Sequence, residues 1–162
     1  MDHDYAVRVQ WLGNLGTGTS GYRDYGRDNV LSAAGNPPIE ASADRPFRGT
    51  PGRWNPEQLL LAALAECHML SYLHVAVKNG IVVTAYEDDA VGTMRQVGEG
   101  GHFTSVTLRP VVTIEGGDEG LATSLHAEAN ALCFIASSVN FPVLHEPITR
   151  KVHAALRKDA AG

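Results

Sequence analysis

The chain has 162 residues, with 13 Lys/Arg against 18 Asp/Glu and a formal net charge of −5. A hydrophobic share of 44% suffices for one domain with a core, spanning residues 1–162, while the acidic balance and the lack of a Lys/Arg cluster exclude a phosphate-binding nucleic-acid surface. Two cysteines without a CxxC exclude a disulfide-rich scaffold and the usual structural zinc site, and no basic-then-apolar leader is read at the N-terminus. The expectation is a soluble, cytoplasmic protein.

Tyr5 to Leu12 alternates apolar and polar residues and predicts a half-buried strand. The glycine-rich piece that follows contains Gly16-x-Gly18-x-x-Gly21, formally a dinucleotide fingerprint. It lacks the apolar helix that such a fingerprint must open, so a glycine-rich hairpin or loop is the better reading. Val30 to Ala34 and Ile39 to Ala43 are short strand candidates, separated by Gly35-Asn36-Pro37-Pro38. A loop from Asp44 to Trp54 carries Arg45, Arg48 and Arg53 into the next element.

That element is a long helix from Asn55 to Gly80. Asn55 is placed to cap it, Pro56 fits its first position, and Gln58 sits where a capping-box side chain reaches back. Lys78 suits the last turn, and Asn79-Gly80 the left-handed stop. The segment is apolar nearly all round, which predicts an interior helix, about 36 Å long at ~1.5 Å per residue. Glu66, His68 and His74 interrupt the apolar run and argue against a membrane span. The length points to a core shared between two copies.

After Gly80, Ile81 to Tyr86 and Ala90 to Val97 read as strands, with Gly98 to Gly101 as a turn. His102 to Ile114 reads as one long strand with Pro110 at an edge or bulge. Asp118 is placed to cap a second helix with Leu121, Leu125, Ala129, Leu132 and Ala136 along its seam and Cys133 beside it. The helix fades at Ser137-Ser138, and Pro142 to His153 reads as a final strand. Strands, long helix, strands, helix and strand make an α+β domain.

Cys67, inside an apolar helix, has the ordinary reading of a small buried hydrophobe. Reactivity would require a thiolate, and Cys67 lies some three turns from the helix N-terminus, too far for the helix dipole to act. A cation must then come from Arg23, Arg27, Arg45, Arg48 or Arg53, all of which precede the helix. Glu57 favours the dipole in the first turn and could also hold such an arginine. Glu57 and Cys67 are ten positions apart, roughly 15 Å along the axis. One arginine can hardly bridge both within a straight helix, so a site using all three would draw on a second chain. The seven histidines contain no HExxH, HxH or HxxxH, so no metal site is read; His126 fits a hydrogen-bonded structural histidine.

Asn55-Pro56-Glu57-Gln58-Leu59-Leu60, followed by Ala62-Ala63-Leu64-Ala65-Glu66-Cys67-His68, resembles the helix signature of the OsmC/Ohr family, the osmotically inducible and organic-hydroperoxide-resistance proteins. The second cysteine 66 residues on, the N-terminal strands with their glycine-rich arginine loop, and the length fit as well. The resemblance implies antiparallel β-sheets wrapped around two central helices in an intertwined homodimer, with the active site at the subunit interface. It implies a thiol peroxidase that reduces organic hydroperoxides, and hydrogen peroxide more weakly, without metal or cofactor. An external dithiol, such as a lipoyl group, would be the reductant. Carried over, Cys67 matches the peroxidatic cysteine, Cys133 the resolving one, and Glu57 the glutamate that orients an arginine. Arg23 matches the glycine-flanked arginine of the Ohr branch, while Arg45 or Arg48 falls near the pre-helix arginine of the OsmC branch. Phe134 stands where the peroxidase branches often have proline, which suggests an OsmC-like subgroup. The competing readings are a non-enzymatic protein of the same fold holding an apolar small molecule at the dimer interface, and a structural dimer with inert cysteines.

Overall fold

In the computed structural model, residues 1–152 are described. The chain divides into two compact units, residues 1–60 and the residues from Leu61 onward, and the boundary falls inside the long helix.

The first unit is a three-stranded antiparallel sheet, β1 (Arg8–Trp11), β2 (Asn29–Ser32) and β3 (Ile39–Ala41), in the order β1-β2-β3. The register pairs Val9 with Leu31 and Val30 with Glu40. The glycine-rich piece is a loop, closed by a bridge between Asn14 and Tyr25, and no helix follows it. β1 is exposed along its whole length, where alternation predicted a half-buried strand. The apolar side chains Val7, Val9, Trp11 and Leu12 find too little in this unit to cover them. Beyond β3, Asp44 caps a short 3-10 turn, Arg45–Phe47, that ends at Arg48 in the left-handed region (φ 66°). Gly49 comes next because a Cβ there would collide with the Ala43 carbonyl.

Helix α1 runs Pro56–Lys78. Its start is a reciprocal capping box: Gln58 N donates to Asn55 Oδ1 at 2.8 Å, and Asn55 N donates to Gln58 Oε1 at 3.2 Å. Its end is Gly80 at φ 69°, a conformation glycine adopts without steric cost. The expected all-round burial is not found. Leu64, His68, Tyr72, Val75 and Ala76 form one buried stripe, while Leu70 and Val77 remain 57% and 72% exposed.

The second unit holds two three-stranded sheets, β4-β7-β9 and β5-β6-β8, and helix α2 (Glu119–Leu132). The strands are β4 (Val82–Asp88), β5 (Val91–Val97), β6 (Gly100–Leu108), β7 (Pro110–Gly116), β8 (Val143–His145) and β9 (Ile148–Lys151). The single strand read over His102 to Ile114 is two. Asp88 Oδ1 accepts from Arg109 N at 2.8 Å, and the chain crosses there from one sheet to the other, with Pro110 opening β7. The final strand is likewise two, divided at Glu146-Pro147; His153, its expected end, lies outside the described residues. Most pairings are antiparallel, but β8 joins β6 and β9 joins β7 in parallel, so both sheets are mixed.

Asp118 caps α2 as expected, accepting from Leu121 N at 2.7 Å. The helix ends at Leu132, and Ala136–Ser138 is a separate 3-10 turn. The buried seam is rotated by about one residue from the one read in the sequence. It consists of Ala122, Leu125, His126, Ala129 and Cys133, while Leu121 and Leu132 lie partly exposed. The core packs this seam with Tyr72, Val75 and Ala76 of α1 and with Ile81, Val112 and Ile114.

Candidate functional site

Cys133 is the C-cap of α2, where the backbone leaves the helix (φ −74°, ψ 109°). Its carbonyl accepts from Ser137 N at 3.1 Å and Ser137 Oγ at 3.0 Å, and its sulfur accepts from Ala136 N at 3.4 Å. The side chain is wholly enclosed. Cys67, three helical positions beyond the buried Leu64, lies at the edge of the α1 stripe and is half-buried. The two thiols face each other across the α1–α2 contact. Burial raises the Cys133 pKa to about 11, and the neighbouring Cys67 thiol adds to the effect. Both cysteines are free thiols. An accessible sulfur against a buried protonated one is the arrangement in which the first can be oxidised and the second can then capture it.

Glu57 lies in the first turn of α1, half-buried, with Oε2 enclosed and without a hydrogen-bond partner among the described residues. The arginines separate clearly. Arg27 is held in its own loop, stacked 3.9 Å from the Tyr25 ring centroid and 4.5 Å from that of Tyr22, and donates to both backbone carbonyls. Arg53 pairs with Asp28 at 3.4 Å and Glu40 at 3.3 Å. The side chains of Arg23, Arg45 and Arg48 are exposed and make no hydrogen bond or ion pair among the described residues. Among the described residues, no basic side chain hydrogen-bonds to either thiol. Cys67 and Cys133 are therefore brought together.

Sequence reading also missed a group of aromatic and polar side chains next to the thiols. His68 on α1, His126 on α2 and His145 on β8 cluster together, with ring centroids 5.2 to 6.3 Å apart. His68 Nε2 and His126 Nδ1 are 2.9 Å apart in a hydrogen bond. Tyr72 stacks on His126 at 4.0 Å, and its hydroxyl donates to the Ala122 carbonyl at 3.0 Å. Burial, aided by the neighbouring imidazoles, depresses His68 to about 4 and His126 to about 3, so both are neutral at pH 7. His126 was expected to be a hydrogen-bonded structural histidine, and it is one. No short-range spacing linked it to His68 or His145, because the three come from three elements.

The family model described as OsmC-like protein matches residues 49–146, a span that includes α1, both cysteines and all three clustered histidines. The chain belongs to the OsmC-like family. Among solved structures, an OsmC-like protein of unknown function from Vibrio cholerae is 30% identical, with a TM-score of 0.80 over 91% of this chain and 100% of that one. An organic hydroperoxide resistance protein from Legionella pneumophila is 20% identical, with a TM-score of 0.63 over 91% and 96%. One from Elizabethkingia anophelis is 17% identical, with a TM-score of 0.66 over 94% and 100%. At these lower identities the likeness is one of fold. No protein of curated function matches the chain.

Proposed function

We propose that this OsmC-like protein is a two-cysteine peroxidase that reduces organic hydroperoxides, and hydrogen peroxide more weakly, in the cytoplasm under oxidative or osmotic stress. The observation that carries this reading is the pairing of a half-exposed Cys67 with an enclosed, protonated Cys133. The Cys67 thiolate attacks the distal peroxide oxygen; the O–O bond breaks, and the alkoxide leaves as an alcohol after taking up a proton. Cys133 sulfur then displaces hydroxide from the Cys67 sulfenic acid. Its thiol proton leaves with that hydroxide as water, and a disulfide forms. An external dithiol, a lipoyl group for instance, reduces the disulfide. No metal or other cofactor enters the reaction.

The thiolate requires a cation. Arg27 and Arg53 are already engaged, which leaves Arg23 and Arg48, with Arg45 beside the latter, as activators. The unpartnered Glu57 Oε2 suits an arginine that it would orient. Because Glu57 lies roughly 15 Å along α1 from Cys67, the reading needs a homodimer in which one copy brings Glu57 and its arginine to the other's thiol. By length and composition α1 could cross a membrane, but its buried stripe packs on protein. The exposed Leu70 and Val77 are assigned to the second copy.

The test is mass spectrometry after one equivalent of cumene hydroperoxide. A Cys67–Cys133 disulfide should form in the native protein, and a Cys67 sulfenic acid should be trapped in Cys133→Ser. Two unmodified thiols would refute the peroxidase and leave a non-enzymatic protein binding an apolar molecule.

A further inference from the structure

His68 and His126 are both fully enclosed, and the 2.9 Å bond between them joins α1 to α2. Two neutral imidazoles can form this bond only with one ring nitrogen protonated and the other bare. Whichever way the proton sits, the outer nitrogens, His68 Nδ1 and His126 Nε2, have no partner among the described residues. A half-satisfied buried pair costs free energy that two apolar side chains of similar volume would not. Fold stability is thus a poor reason for its presence. Metal binding is a poor reason too. The facing nitrogens of His68 and His126 are used on each other, and no group of three or more His, Cys, Asp or Glu among the described residues is arranged to hold a metal ion.

The pair's position suggests another role. His68 follows Cys67 directly. His126 precedes Cys133 by seven residues, two turns of α2, and they share one buried stripe with the small Ala129 between them. The helices cross in antiparallel sense, with His68 bonded to His126 and Tyr72 to the Ala122 carbonyl. Cys133 is a C-cap, and helix ends fray. Apolar ridges in grooves tolerate sliding, whereas a disulfide needs Cα atoms within about 4.4–6.8 Å. A slip of one turn, ~5.4 Å, would part the thiols. A single directional bond in an apolar contact is a known means of fixing helix register.

We propose that the His68–His126 hydrogen bond pins the register of α2 on α1 and so holds Cys133 within bonding reach of Cys67. Both histidines are positioning residues: neither exchanges a proton or electron with substrate. The inference rests on the disulfide in the function proposed above, not on peroxide being its oxidant. The test therefore uses no peroxide. The full chain is equilibrated with reduced and oxidised dithiothreitol; oxidation of the two thiols to one disulfide is balanced by reduction of the reagent's disulfide to a dithiol.

His126→Phe keeps a ring stacked on Tyr72 and loses the bond, and His68→Met removes the bond from the other side. Each should lower the equilibrium constant for the Cys67–Cys133 disulfide by about tenfold. His126→Asn, whose amide stands in for Nδ1, should restore it to within about threefold of native. Tyr72→Phe removes the other interhelical bond and should lower the melting temperature with a smaller change in that constant. In native protein labelled with 15N-histidine, a slowly exchanging ring N–H shared between the two histidines should be observed, and its absence would overturn the pin even if both disrupting variants fail to fold. So would an unchanged equilibrium in His126→Phe or His68→Met, or a loss in His126→Asn as large as in His126→Phe. A disulfide that forms with dithiothreitol but never with hydroperoxide would refute the peroxidase and leave the pin standing.

Discussion

The two units of the chain spend their apolar residues differently. In the second, Val106, Leu108, Val112, Ile114, Ala122 and Ala129 are wholly buried, and His68 and His126 are drawn inside with them. In the first, Ala41 and Ser42 are buried near the end of β3, while Val7, Val9, Trp11, Leu12 and Leu15 face outward. A stretch of about sixty residues has too little interior to enclose that many side chains unaided. The contrast teaches where each task resides. The unit with the core holds the thiols in fixed geometry; the unit without one carries the unengaged arginines and, under the proposed function, a surface for the second copy.

Cys67→Ser should have the largest effect. Hydroperoxide turnover should fall to the uncatalysed background with the melting temperature unchanged; residual turnover in a coupled dithiol assay would move the chemistry away from the second unit. Acid comes next. His68 and His126 are depressed to about 4 and about 3 from an ordinary 6.5, so the unfolded chain binds protons that the folded chain does not. Stability is then complete above pH ~6.5 and falls as the pH drops toward 4 and 3, at up to roughly 2.7 kcal/mol per pH unit for two protons. Urea titrations between pH 7 and 4.5 measure this slope, and in His126→Phe it should be about halved.

Leu64→Ala, in the buried stripe, should cost ~2–5 kcal/mol at any protein concentration. Val9→Ala on exposed β1 should cost under about 0.5 kcal/mol in a lone chain and more only where copies associate. Melting curves over a hundredfold range of concentration separate the two, and a concentration-independent loss at Val9 would erase the contrast between the units. Asn55→Ala, which removes half of the capping box, should cost ~1 kcal/mol at any protein concentration, between the losses at Leu64 and Val9.

Local chemistry was legible in the sequence. The Asn55–Gln58 box, the Asp118 cap and the stop at Gly80 involve partners within a few positions, and each is found where expected. The family resemblance carried the cysteine pair, whose 66-residue separation no periodicity explains. Long-range choices were not legible. β6 and β7 read as one strand because the break at Arg109 is set by Asp88, 21 residues away. The α2 seam was misplaced by a residue because a histidine, His126, occupies a core position that hydrophobic counting passes over. The histidine stack itself joins positions 68, 126 and 145.

The two mixed sheets also bear on how the protein is made. Each is completed by a strand from the far side of α2: β8 closes one against β6, and β9 closes the other against β7. During synthesis a growing chain would therefore expose both cysteines before either sheet has its third strand. One sheet cannot be finished until His145 has left the ribosome, and the other until Lys151 has. Through that interval Cys133 would lack its native enclosure, and a nascent chain would meet cellular oxidants at a site that the finished protein keeps covered.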